Sequence, residues 1–267
     1  MSAASGRRRV QLRTGVTIAC IKHGDPAGRP VLLLPPWVES AGCFDRLVRA
    51  LPAPMRVYAL DLRGHGEADK PEGGYALGDF ADDVDAFMDA VGVPAAVLVG
   101  SSSGGYVAQE VAVRFPHRVA GLVLVGSPRS LVGRPPFADE VDQLVDPVDP
   151  AWVEASLAWF PRYHDVPHWY LQDRIRDGVR TPAHVWRAAL AGLAAAVPPT
   201  ESGTITAPTL IIWGAQDEFI RADMDVLAAA IPASRLLVYE DTGHLVLWEQ
   251  PDRVAHDVVE FVATLGW

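Results

Sequence analysis

Val97-Leu98-Val99-Gly100-Ser101-Ser102-Ser103-Gly104-Gly105-Tyr106-Val107-Ala108 decides how this chain is read. An apolar run passes through a turn of small residues directly into a segment of helical patterning, with no polar linker. That arrangement suits a strand buried on both faces and a helix packed back upon it. Gly100-Ser101-Ser102-Ser103-Gly104 fits G-x-S-x-G, in which a strained strand-to-helix turn lifts one serine hydroxyl above the sheet. The glycines meet a packing need, because the two backbones approach too closely there for a Cβ. Of the three serines only Ser102 has glycine two residues away on both sides. A phosphate-binding loop starting at Gly100 would need lysine where Tyr106 stands, and G-x-G-x-x-G is absent from the turn. The bland alternative is a tight turn with incidental serines. Partner residues elsewhere must decide.

Working outward, buried-strand runs recur at 31–34, 57–60, 96–99, 122–125 and 210–213, with a further strand at 235–239. A hairpin of two alternating segments, 8–13 and 16–22, opens the chain. Helical patterns fall at 44–51, 80–91, 106–115, 224–230 and 254–265. The alternation predicts an α/β protein with a mostly parallel central sheet flanked by helices. Residues 128–206 break it. They contain no buried-strand run, are rich in proline, and hold Trp152, Trp159, Trp169 and Trp186. This stretch reads as a helical cap inserted after the sixth strand and folded over the sheet edge, leaving 1–127 and 207–267 as the core.

Charge and cysteine content exclude several classes. With 23 Lys+Arg against 33 Asp+Glu the net charge is −10, which argues against nucleic acid or an anionic membrane as partner. Two cysteines, Cys20 and Cys43, are too few for a disulfide scaffold or a Cys-ligated zinc site. The apolar runs fall far short of the ~20 residues of a membrane span. Arg7-Arg8-Arg9 is not followed by the apolar core of an export signal. A cytoplasmic protein is expected, and a homo-oligomer is left open.

Partners for Ser102 occur in a telling order. Thr209-Leu210-Ile211-Ile212-Trp213-Gly214-Ala215-Gln216-Asp217 is a buried strand whose loop carries Asp217. Tyr239-Glu240-Asp241-Thr242-Gly243-His244 then places His244 after the last strand. Together with Asp61-Leu62-Arg63-Gly64-His65-Gly66, Asp69-Lys70-Pro71 and Glu249-Gln250-Pro251, these segments resemble the α/β-hydrolase superfamily, in its cap-bearing branch of small esterases, lactonases and carbon–carbon hydrolases. The likeness covers almost the whole chain and is weakest across 128–206. It implies the α/β-hydrolase fold, with Ser102 as nucleophile, His244 as general base and then acid, and Asp217 holding the imidazole. The neighbouring Glu218 is the rival for the acid; family spacing from the strand favours Asp217.

An oxyanion hole needs two N–H groups aimed at the developing charge. By the same resemblance these belong to Ser103 and Trp37. Where the family usually reads His-Gly, this chain has Pro35-Pro36, neither of which can donate. Ser103 is expected to contribute its backbone only, so that loss of its hydroxyl is tolerated. Substrate contacts are expected from Trp152, Trp159, Phe160, Tyr163, Trp169 and Tyr170, since ligand pockets are lined mainly by apolar and aromatic groups. No cofactor and no metal are implied: His164 and His168 have metal-like spacing, but Pro167 interrupts a helix there. The expected activity is hydrolysis of a small, largely apolar ester or lactone through an acyl-enzyme. Carbon–carbon hydrolases and cofactor-free perhydrolases use the same three groups, and a ligand-binding receptor with little turnover is the rival of another class.

Overall fold

The computed structural model describes residues 6–266 except Ala53. Of the reading of the N-terminus, residues 1–5 lie outside the described residues. Among the described residues eight strands are formed: β1 (Gly6–Gln11), β2 (Thr17–Gly24), β3 (Arg29–Leu34), β4 (Met55–Asp61), β5 (Ala96–Ser101), β6 (Val119–Val125), β7 (Thr209–Gly214) and β8 (Ser234–Tyr239). They pair in the order β1-β2-β4-β3-β5-β6-β7-β8. The β1–β2 and β2–β4 pairs are antiparallel, and every pair from β4 to β8 is parallel.

The apolar runs are continuous because each strand feeds two cores at once. Leu32, Leu34, Leu98, Leu122, Leu124 and Ile211 point to one face, while Val31, Leu33, Val97, Val99, Val123 and Ile212 point to the other. Successive side chains of a strand alternate sides, so such a run buries both of them. Helices α1 (Asp45–Ala50), α2 (Leu77–Ala90) and α3 (Ser103–Arg114) lie between the first six strands. α2 and α3 cover the first face, through residues such as Phe80, Phe87, Tyr106 and Val111. α1 covers the second with Phe44, which precedes it, and Leu47. Cys20 belongs to the first core and Cys43 to the second; both are buried free thiols.

Between β6 and β7 the chain is helical: α4 (Ala138–Asp142), α5 (Pro150–Ser156), α6 (His168–Arg180), α7 (Ala183–Ala194) and α8 (Pro199–Ser202). Phe137, Val141, Val153, Ile175 and Trp186 give this insert an apolar cluster of its own. β6 and β7 are neighbours inside the sheet, so the insert rises over the carboxyl ends of the strands and not over an edge. Beyond β7 come α9 (Asp223–Ala230), then α10 (Val246–Glu249) and α11 (Pro251–Thr264), the last completing the α1 layer.

The sheet order also locates a crevice. β3 sits between β4 and β5, so the chain leaves β3 to one side and β5 to the other. Such a reversal opens a cleft at the carboxyl ends, where open α/β sheets take their ligands. The loop after β3 carries Trp37 and the turn after β5 carries Ser102.

Candidate active site

Ser102 is one of two described non-glycine residues at positive φ, with φ 49° and ψ −123°. That conformation costs of order 1–3 kcal/mol and persists only where the surroundings impose it. They do so here from two sides. Ser102 N–H donates to the Val125 carbonyl at 2.9 Å, and Ser127 Oγ donates to the Ser102 carbonyl at 3.0 Å. A Cβ on Gly100 would lie 2.4 Å from Gly105 Cα, and one on Gly104 would lie 2.2 Å from the Leu34 carbonyl oxygen. Both glycines of the motif are therefore demanded by contact.

Ser102 Oγ lies 3.0 Å from His244 Nε2, and His244 Nδ1 lies 2.7 Å from Asp217 Oδ2. Since the carboxylate accepts, Nδ1 carries the ring proton and Nε2 is left free to accept from Ser102. Asp217 is held in turn: its Oδ1 accepts from the N–H groups of Phe219 at 2.9 Å and Ile220 at 3.2 Å. Its side chain is fully buried, whereas Glu218 faces solvent. The imidazole is clamped between two rings. Phe160 stacks on it at 4.6 Å between centroids and 29° between planes, and Phe219 meets it edge-on at 5.5 Å.

Glu249 is a residue whose role the motif alone did not reveal. Its carboxylate accepts from the N–H groups of Tyr163 (2.6 Å), His164 (2.9 Å) and Gly243 (3.3 Å). One buried side chain thus ties the His244 loop to the insert. A second tie runs below the β3 loop. Asp177 on α6 accepts from both Ser40 N–H (3.0 Å) and Ser40 Oγ (2.8 Å), and Arg174 pairs with Asp177 at 3.1 Å and Glu39 at 3.2 Å. Burial pushes the Glu39 carboxyl up to about 7, against the opposing pull of Arg174.

Above Ser102 opens a cavity of about 730 Å³, walled chiefly by Trp37, Phe137, Trp159, Phe160, Trp186 and Phe219. Of the six aromatic residues expected to touch substrate, Trp159 and Phe160 line it. Trp152 stands behind them, edge-on to Trp159 and Trp186. Tyr163 and Trp169 are 48% and 44% exposed, and Tyr170 is wholly buried with its hydroxyl on the Cys43 carbonyl at 2.7 Å. These four lie outside the wall. For two of them helical geometry accounts for this: Trp169 and Tyr170 are consecutive on α6, about 100° apart around its axis, and so face different ways. Phe137, Trp186 and Phe219 take their places. Phe219 could have been found from its position two residues past Asp217.

Ser103 is the first residue of α3, where backbone N–H groups and the helix dipole favour negative charge. Trp37 N–H is near it, but it does not face the cavity unengaged: it donates to Ser103 Oγ at 2.7 Å. The expectation of two free backbone donors with a bystander hydroxyl does not describe this arrangement. His65, in contrast, is structural, buried with Nδ1 on the Arg63 carbonyl at 2.7 Å. His164 Nε2 lies 3.0 Å from the Asp241 carbonyl, and His168 opens α6.

A mostly parallel sheet with serine, histidine and aspartate meeting above its carboxyl ends, under a helical insert, defines the class of protein. The chain belongs to the alpha/beta hydrolase fold family, whose profile matches residues 29–172 and 170–251. It is 30% identical over 273 residues to a non-heme chloroperoxidase of Streptomyces lividans, covering 93% of this chain and 96% of that protein. It is also 30% identical over 206 residues to 3-oxoadipate enol-lactonase 2 of Acinetobacter baylyi, covering 76% of each. Among solved structures, an esterase from a Rhodococcus species superposes with a TM-score of 0.84 at 28% identity, covering 97% of this chain and 99% of the other.

Proposed function

We propose that this protein is a serine hydrolase that cleaves a small, largely apolar carboxylic ester or lactone. The observation that carries the reading is the chain Ser102–His244–Asp217, with links of 3.0 and 2.7 Å, at the floor of an aromatic cavity. His244 Nε2 takes the Ser102 proton as Oγ bonds to the carbonyl carbon, and the imidazolium is stabilised by Asp217. Collapse of the tetrahedral species expels the alcohol, which leaves with that proton. Water, deprotonated by His244, then releases the acid and restores Ser102. The core comprises 1–127 and 207–267, and 128–206 acts as the cap that closes the pocket. The likeness to an enol-lactonase and an esterase supports the ester or lactone substrate.

A second reading has one specific support, the likeness to the chloroperoxidase. In it, hydrogen peroxide replaces water as acceptor of the acyl group and a peracid leaves. A panel of p-nitrophenyl esters and lactones, run with and without peroxide, separates the two. A fluorophosphonate probe should label the wild-type protein and leave Ser102→Ala unlabelled. Labelling that survives in Ser102→Ala would refute the nucleophile.

A further inference from the structure

We infer that the Ser103 hydroxyl is itself an oxyanion-hole donor, standing between Trp37 N–H and the oxygen of the bound substrate. The inference rests on the reading of Ser102 as nucleophile and adds to it a role for the neighbouring side chain. Three observations carry it. The loop after β3 is short of donors, because Pro35 and Pro36 have no N–H and the Trp37 N–H is committed to Ser103 Oγ at 2.7 Å. The hydroxyl that receives this bond has one proton of its own to give. No acceptor for that proton occurs among the described residues, although Ser103 is buried and lines the cavity beside Ser102.

The consequence is a relay of donors. Trp37 N–H polarises the Ser103 hydroxyl, which strengthens it as a donor in its turn. An oxygen bound next to Ser102 Oγ then meets Ser103 twice, through the backbone N–H at the start of α3 and through the side-chain O–H. The hydroxyl needs no rearrangement when charge develops, which is the condition under which such donors contribute most. The opposite role is that Ser103 Oγ blocks the hole and must swing aside to free Trp37 N–H. The two roles differ in sign when the hydroxyl is removed.

The test is the second-order rate of fluorophosphonate labelling of Ser102, whose phosphoryl oxygen occupies the same hole, in wild type, Ser102→Ala, Ser103→Ala and Ser103→Thr. It needs no knowledge of the natural substrate. Loss of one oxyanion donor costs on the order of 10²–10³ in rate. Because Ser103→Ala also frees Trp37 N–H as a partial substitute, a slowing of at least about tenfold is expected. Ser103→Thr, which keeps the hydroxyl, should recover most of the rate. Affinity for a pentyl trifluoromethyl ketone, which forms an alkoxide on Ser102, should fall in step in Ser103→Ala. Affinity for the uncharged methyl ketone should not. Labelling of Ser103→Ala at or above the wild-type rate would overturn the inference while leaving the nucleophile intact. Persistent labelling of Ser102→Ala would instead overturn the reading beneath it.

Discussion

Asp217 and Glu218 are adjacent carboxylates, yet only one can serve His244. Asp217 turns inward because two N–H groups of the following turn hold its Oδ1, leaving Oδ2 for the imidazole at 2.7 Å. Asp217→Asn should therefore lower kcat at least tenfold on a good ester, since an amide holds the ring in the wrong tautomer and cannot stabilise the imidazolium. Glu218→Gln should be nearly silent in the same assay. If Glu218→Gln is the crippled variant, the acid has been misassigned by one residue. His65 makes a second prediction, about stability. Burial lowers its pKa from 6.5 to about 4, so the neutral ring belongs to the folded state. Stability is at its full value above pH 6.5, where the unfolded chain is also neutral, and falls as the unfolded chain takes up the proton first. By pH 4 the loss from this one group is about 3 kcal/mol. Urea melts of His65→Gln across that window should show a flatter pH dependence than the wild type; an unchanged slope would show that His65 is not the group responsible.

The elements most readily seen in the sequence were the interior strands, because alternation between two cores leaves no polar position in runs such as Val31-Leu32-Leu33-Leu34. The Ser102 turn and the Asp217 loop were legible for the same reason, since each follows such a run at its carboxyl end, whereas the His244 loop follows the half-buried edge strand β8 and was found from the order of the motifs. The insert was not. Prolines divide it into short helices whose faces no periodicity long enough to read could assign, which is why Tyr170 was expected at the pocket and lies in the core. Hydrogen bonds that cross between elements, such as Trp37 to Ser103 or Tyr163 to Glu249, leave no local trace in a sequence at all. At this scale the turn itself can be tested. The 2.2 Å approach to the Leu34 carbonyl involves backbone that cannot step aside, so Gly104→Ala should destabilise by at least about 2 kcal/mol and disturb the Ser102 geometry. A wild-type melt with wild-type labelling would show that strand and helix can part at little cost.

For the molecule as a whole, the division of labour proposed between sheet and insert predicts how selectivity and rate separate. Trp159 lines the cavity and stacks on Phe137 at 4.5 Å, while Ser102, His244 and Asp217 all come from outside the insert. Trp159→Ala should thus shift preference toward longer acyl chains, by at least about fivefold in the octanoate-to-butyrate ratio of kcat/KM. An unchanged ratio would mean that acyl groups do not reach that wall. A last consequence follows from the two cysteines lying on opposite faces of the sheet. Burial raises the Cys20 thiol to about 11 and drives Cys43 well up too, so neither presents a thiolate to an alkylating reagent while its layer stays shut. Each is then a stopwatch for one side of the protein, Cys20 for the layer of α2 and α3 and Cys43 for that of α1 and α11. Single-cysteine variants under mild denaturant would time the two layers separately, and reveal whether they open together or one before the other.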